Sequence, residues 1–302
     1  MTIYNLKSAK ISIVNEKPFK LEREIQHIFE GNLQELMGFE LVKSEFTIKG
    51  KRIDTLAYDP QAKAFVIIEY KRDKSISVVD QGFSYLGLML ENKADFVLSY
   101  NETLHKSVHS STFDWSQTRV VFVSTSFTEN QKLATNFKDL AIELWEVKRF
   151  ENDTILIQEI KKTKAAASIK PLAQHDKTIK SVTDEIKVYS EETHLDIYPE
   201  YVRELYETYK NAILNLADDV EIVPKKLYIA FKKNKNIADL VTLKKGLKIF
   251  INLKKGQLDD PKKLMKDVSE TGHWGNGDYE TTVTDTENLE YVMSLIKQAI
   301  KF

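Results

Sequence analysis

Cysteine is absent from this 302-residue chain, which excludes disulfides, Cys-ligated zinc and thiol catalysis together. No apolar run approaches the roughly 18 residues that a membrane-crossing helix requires. The opening stretch MTIYNLKSAKISIVNEKPF lacks both the basic start and the continuous apolar core of a secretory leader. An intracellular, cytoplasmic protein with no membrane partner is the expectation. Charge of one sign is not in excess either: 44 Lys and Arg face 45 Asp and Glu, for a net charge of -1. Near-neutrality argues against a broad, non-specific coat for nucleic acid. Histidine is sparse, with 6 in all. Only His105 and His109 stand close, in HKSVH, and no acid lies between them, so zinc is not expected. No Gly-rich loop followed by Lys-Ser/Thr is present, which leaves out a P-loop.

What is there is ordinary in bulk and uneven in detail. The chain is 42% hydrophobic and 29% charged, as in a soluble globular protein, and is long enough to divide in two. Residues 225–270 hold thirteen Lys against five acids, whereas Glu191, Glu192, Asp196, Glu200, Glu204 and Glu207 make the preceding stretch acidic. The first unit is expected over 1–160, a linker over 161–190, solvated or ending in a short helix, and a small α+β domain over 191–302. An extended strand around Ile11 and Ile13 opens the chain, and a helix follows over 19–37, closed by Gly38. Strands are expected over 39–47, 51–58 and 64–70, then a helix over 77–92 and a strand over 95–100. A strand over 119–124, a helix over 129–137 and strands over 142–147 and 154–160 complete the unit. Strands 64–70 and 119–124 are almost continuously apolar, as sheet interior covered on both faces should be. In the second domain a helix spans 198–216, with Tyr201, Leu205, Tyr209 and Ile213 four apart. Strands cover 226–231, 247–253 and 279–284, and a helix covers 287–300.

The segment AFVIIEYK carries the chemistry. Side chains alternate along a strand, so Glu69 and Lys71 share one face. Asp54, in IDTLAYD on the preceding strand, reaches Glu69 across a short Asp59-Pro60 hairpin. Two carboxylates and an ammonium at the ends of core strands must compensate one another or hold a cation. A hard divalent ion prefers oxygen ligands, and Asp54 with Glu69 offers two. Lys71 would orient water or stabilise a pentavalent phosphorus. Glu22 interrupts the apolar stripe of the first helix, either facing this site from above the sheet or paired with Arg52 at its edge. On the second helix Gln81 and Tyr85 are four apart and face together.

RIDTLAYD, AFVIIEYKR and DQGFSYL together resemble the PD-(D/E)XK nuclease superfamily, and Gln-x-x-x-Tyr resembles its RecB-like and NucS-like branches. The resemblance covers about 21–147. It implies an α/β fold, with a restriction-endonuclease-like mixed sheet flanked by helices. It implies Asp54, Glu69 and Lys71 as the metal-binding and catalytic core, Glu22 as the acid on the first core helix, and Gln81 with Tyr85 as the helix motif. The implied cofactor is Mg²⁺, replaceable by Mn²⁺, and the implied activity is hydrolysis of DNA. Where the family name has Pro, this chain has Ile53. GHWGNGDYE is similar to an uncharacterised bacterial domain often fused to such nucleases, and implies no function. A module that keeps the fold and binds nucleic acid or protein without turnover is the alternative. A homodimer is an expectation, since cutting a duplex takes two events.

Other features have plainer readings. Trp115 and Arg119 either clamp a phosphate or, the favoured reading, pack the sheet edge and pair with an acid. Glu45 is a candidate acid behind the first. Lys244, Lys245, Lys248, Lys254 and Lys255 form either a DNA-docking run or a solvated face.

Overall fold

The computed structural model describes the whole chain except residues 1, 73–76, 164, 175, 273–274 and 302, with the Thr178 side chain also left aside. It divides into two compact units, Met1–Val188 and Tyr189–Phe302. Among the described residues no helix is long and apolar enough to cross a membrane.

The first unit begins with a hairpin of β1 (Ile3–Lys7) and β2 (Lys10–Val14). Helix α1 (Glu22–Gly31) follows, with Glu22 and Glu24 in its first turn, where acids complement the helix dipole. The single helix expected over 19–37 is two: the chain breaks at Asn32, and α2 (Leu33–Met37) ends on Gly38 at φ +74°, a left-handed cap that glycine adopts without strain. Next come β3 (Glu40–Ile48), β4 (Lys51–Asp59), β5 (Ala64–Lys71) and α3 (Val78–Glu91), the last capped by the Ser77 hydroxyl.

Residues 95–100 do not form the expected strand but the middle of α4 (Lys93–Thr103). Phe96, Val97 and Tyr100 are all buried there, a spacing a helix turns to one side and a strand would divide between two faces. Aromatic contacts hold the helix down, with Phe96 5.8 Å from Phe65 and Tyr100 4.8 Å from Tyr58 between ring centroids. The unit continues through β6 (Arg119–Ser124), α5 (Glu129–Thr135), β7 (Ile142–Arg149) and β8 (Ile155–Ile160).

The segment expected as a linker, solvated or ending in a short helix, does end in a helix but is packed rather than solvated. It carries α6 (Lys170–Ala173) and α7 (Lys177–Glu185), and buries Ile169, Ala173, Val182 and Ile186 in the first unit. Its lysines mask a sparse apolar stripe that packs beside α3.

Six strands form the sheet in the order β3-β4-β5-β6-β7-β8. β5, β6 and β7 run parallel, and the outer pairs are antiparallel. One face packs under α1 and α2, through Phe29, Val66 and Ile68, and the other under α3 and α4, through Phe65, Ile67 and Phe122. Coverage on both sides explains why β5 is buried from Ala64 to Tyr70.

The second unit contains α8 (Glu191–Leu195), α9 (Glu200–Leu214), β9 (Glu221–Pro224), β10 (Ile229–Lys233), β11 (Lys235–Leu243), β12 (Gly246–Ile251), β13 (Lys266–Asp267), β14 (Tyr279–Val283) and α10 (Leu289–Ile300). Its sheet order is β13-β14-β12-β11-β10-β9. Both β9 and the interior strand β11 were unanticipated. Helix α9 buries Val202, Leu205, Tyr206, Tyr209 and Ile213, while Tyr201 faces outward and donates to the Lys244 carbonyl. The architecture is thus α/β with a mixed sheet flanked by helices, followed by a smaller α+β region.

Candidate active site

The site is made where the sheet forks. Backbone pairing between β4 and β5 runs from Asp59↔Ala64 to Thr55↔Ile68 and stops. Beyond that point β4 stays with β3, through Ile53↔Phe46, and β5 stays with β6, through Glu69↔Phe122 and Tyr70↔Val123. Continuing the register would set Asp54 opposite Glu69, and there the two carboxylates replace the missing ladder. The Asp54 N–H donates to Glu69 Oε1 at 3.1 Å, and the Tyr70 N–H donates to Asp54 Oδ2 at 3.0 Å. Each acid therefore satisfies a backbone donor that strand separation would leave unpaired.

Glu69 is the more enclosed of the two, at 2% exposure. Its Oε2 accepts from Lys71 Nζ and from Gln81 Nε2, both at 3.2 Å. Gln81 Nε2 also lies 3.2 Å from the Tyr85 hydroxyl, which donates to the Arg52 carbonyl at 3.2 Å. The i, i+4 pair on α3 thus holds the carboxylate from the helix side. Burial, then the Asp54 charge, push the Glu69 carboxyl up to about 7, against the pull of Lys71. Burial also raises Asp54, while the Tyr70 N–H and Lys71 oppose it. The Tyr85 hydroxyl is raised by burial and by the charge of Glu69.

Five of the six expected site residues, Asp54, Glu69, Lys71, Gln81 and Tyr85, are therefore joined by one hydrogen-bonded network. Glu22 stands apart from it. Its Oε1 accepts the Arg72 N–H at 2.9 Å, and it lines, with Asp54, a cleft of about 760 Å³. Arg52 pairs with Glu45 at 3.0 Å rather than with Glu22. Lys20, Arg23, Arg52 and Arg72 also line the cleft.

Two residues of the site were not foreseen. Gln26, buried on α1, places Nε2 at 3.0 Å from the Asp54 carbonyl, 3.1 Å from Glu30 Oε1 and 3.3 Å from Ser44 Oγ. An amide has two protons for these three acceptors. Glu30 accepts in addition from Thr55. The available signal was the spacing of Glu22, Gln26 and Glu30, four apart along one line of α1.

Among the described residues no group of three or more His, Cys, Asp or Glu is placed to hold a metal ion. Asp54 and Glu69 nevertheless suit a small hard cation. With both carboxylates ionised, one Lys71 would leave a negative charge that a bound cation can compensate, and Gln81 Oε1 is a buried oxygen with no hydrogen-bond partner among the described residues. Mg²⁺ is commonly held by one or two carboxylates together with water and substrate phosphate.

Arg119, Trp115, Lys248 and Lys255 have structural partners. Arg119 pairs with Asp59 at 2.8 Å and Glu143 at 2.9 Å, and Trp115 packs 5.4 Å from Phe65 between ring centroids. In the second unit Lys248 pairs with Glu280 at 3.0 Å, and Lys255 lies 3.7 Å from Asp267. His273 and Trp274 of the glycine-rich motif fall outside the described residues.

Residues 191–302 match the model of a domain of unknown function, DUF5655. Among solved structures, a repair endonuclease from Pyrococcus abyssi shares 18% identity with this chain, covering 43% of this chain and 59% of that one at a TM-score of 0.27. The EndoMS–double-stranded DNA complex shares 16%, covering 44% and 59% at the same TM-score of 0.27. Both likenesses are distant and partial. A Haemophilus influenzae protein described as uncharacterized is 55% identical over 301 residues, 100% of each chain. The chain belongs to the family of that Haemophilus influenzae protein.

Proposed function

We propose that the first unit is a nucleic-acid-binding module built around a nuclease-type carboxylate site, with DNA as its partner. One observation carries the reading: the cleft beside Asp54 is lined by the four cations Lys20, Arg23, Arg52 and Arg72 against the acids Glu22, Glu45 and Asp54. Cations around a cleft attract a phosphodiester backbone and fix its position. The enclosure of Glu69, and its tendency to keep a proton up to about pH 7, favour binding without turnover in the absence of a cation.

A second reading adds hydrolysis of the phosphodiester bond with Mg²⁺ or Mn²⁺, and the Asp54–Glu69–Lys71 grouping favours it. Asp54 and Glu69 would hold the ion, which when bound lowers the pKa of a water and neutralises phosphate oxygens. The chain's own residues do the rest. Lys71 presents its ammonium to the negative charge that develops on phosphorus-bound oxygen. Gln81 and Tyr85 keep the Glu69 carboxylate in one orientation, and Gln26 fixes the backbone of Asp54. The Glu22 carboxylate holds the Arg72 backbone at the cleft wall.

Fluorescence anisotropy with labelled single- and double-stranded DNA, followed by gel analysis after adding Mn²⁺, separates the readings. Cleavage by the full chain that disappears in Asp54→Ala supports hydrolysis. Retention of DNA without cleavage supports the binding module. Neither retention nor cleavage for any DNA form would overturn both.

A further inference from the structure

The hairpin of β1 and β2 is a separate two-stranded sheet. Its register sets Tyr4 against Ile13 and Leu6 against Ile11, and strand alternation turns all four to one face. They are 52%, 62%, 69% and 67% exposed, in that order. The other face is turned inward at its base, where Val14 is buried and Ile3 half-buried. Single exposed hydrophobic residues need no explanation, but four adjoining ones on an element that is marginal by itself do.

We infer that this face is the interface between two copies of the chain, stacked hairpin on hairpin about a twofold axis. Area is the first argument. At roughly 200 Å² per fully exposed side chain, the four offer about 500 Å² per copy and ~1,000 Å² per pair, the size at which specific interfaces begin. Shape is the second. A short strand pair with aliphatic and aromatic side chains on one side packs naturally on another such face, and an isologous contact closes with a single patch.

Lys7 and Lys10 lie directly opposite each other at the hairpin tip, and the same alternation turns them to the face away from Tyr4, Leu6, Ile11 and Ile13, so the tip puts no charge into the stacked face. The inference is independent of any activity at the β4–β5 fork.

Sedimentation equilibrium on the full chain, over a concentration range reaching tens of micromolar, tests it. The expected result is a monomer–dimer equilibrium whose dissociation constant rises by about a thousandfold or more in Leu6→Asp/Ile11→Asp, as four lost apolar anchors per dimer imply. Far-UV circular dichroism of the variant confirms that the rest of the chain is folded, as the exposure of these positions leads one to expect. A wild-type chain that stays monomeric overturns the inference. So does a dimer that survives Leu6→Asp/Ile11→Asp unchanged.

Discussion

Each unit buries an acid on an interior strand, and the two acids live in opposite surroundings. Glu69 on β5 faces an ammonium, a second carboxylate and a glutamine, and its neighbour Asp54 opens on a cleft. Asp239 on β11 is fully enclosed, and its hydrogen-bond partners are neutral, the Asn276 N–H, the Asn276 amide at 2.8 Å and the Asn236 amide at 3.3 Å, with the Lys225 charge only pulling on it from farther off. Burial pushes both carboxyls up to about 7. A raised carboxyl is therefore no mark of a reactive centre by itself. What separates the two is an ammonium within hydrogen-bond distance, a second carboxylate beside it and a neighbour, Asp54, that opens on a cleft, which the first has and the second lacks.

The largest effect should fall on metal binding. Calorimetry with Mn²⁺ should show affinity falling about a hundredfold in Glu69→Gln, ~2.7 kcal/mol, because a charged ligand becomes neutral. Asp239→Asn should leave the titration unchanged. Equal losses in the two variants would erase the distinction between the acids.

Proton linkage offers the next test. Each carboxyl is raised in the folded chain, from ordinary values of 4.5 for Glu69 and 3.8 for Asp239. Through that window the unfolded chain releases a proton that the folded chain keeps. Each group therefore lowers stability as pH rises, by up to ~1.4 kcal/mol per unit, and the decline levels off above about 7. Urea denaturation across this range should show the slope. Mn²⁺ should shift it in the first unit alone, because a bound ion holds Glu69 ionised.

Asn276→Ala removes the amide that donates both to Asp239 and to the Tyr228 hydroxyl. Denaturation of the second unit should report a loss of about 1–3 kcal/mol, the penalty for under-satisfied buried groups. Gln26→Ala is the mildest change, ~1 kcal/mol of stability for its bond to the Asp54 carbonyl. It should weaken Mn²⁺ binding by about tenfold, as loss of a group orienting a ligand does. Intact Mn²⁺ affinity in Gln26→Ala would separate Gln26 from the site.

The carboxylate site was legible from two short-range rules. Strand alternation aligned Glu69 with Lys71, and helical spacing aligned Gln81 with Tyr85. Gln26 and Glu30 escaped because a search for apolar residues along α1 passes over polar ones that turn inward. The helix at Phe96 to Tyr100 was read as a strand because its aromatic and branched residues favour β structure locally, whereas packing on Phe65 and Tyr58 decides the outcome. Around Val182 the opposite error arose, since lysine-rich composition concealed a stripe of few but buried residues. β11 went unread because Asp239 and Asn236 interrupt its apolar run, and only the tertiary partner Asn276 explains an acid there.

The parting of β4 from β5 has a mechanical consequence. Asp54 is carried by a strand anchored to β3, and Glu69 by one anchored to β6. The gap between the acids is thus the opening of a pair of jaws whose handles are the two outer halves of the sheet. Phe46, paired with Ile53, and Val123, paired with Tyr70, sit one residue along from the two acids, so repacking either should alter the bite of the site without touching its teeth.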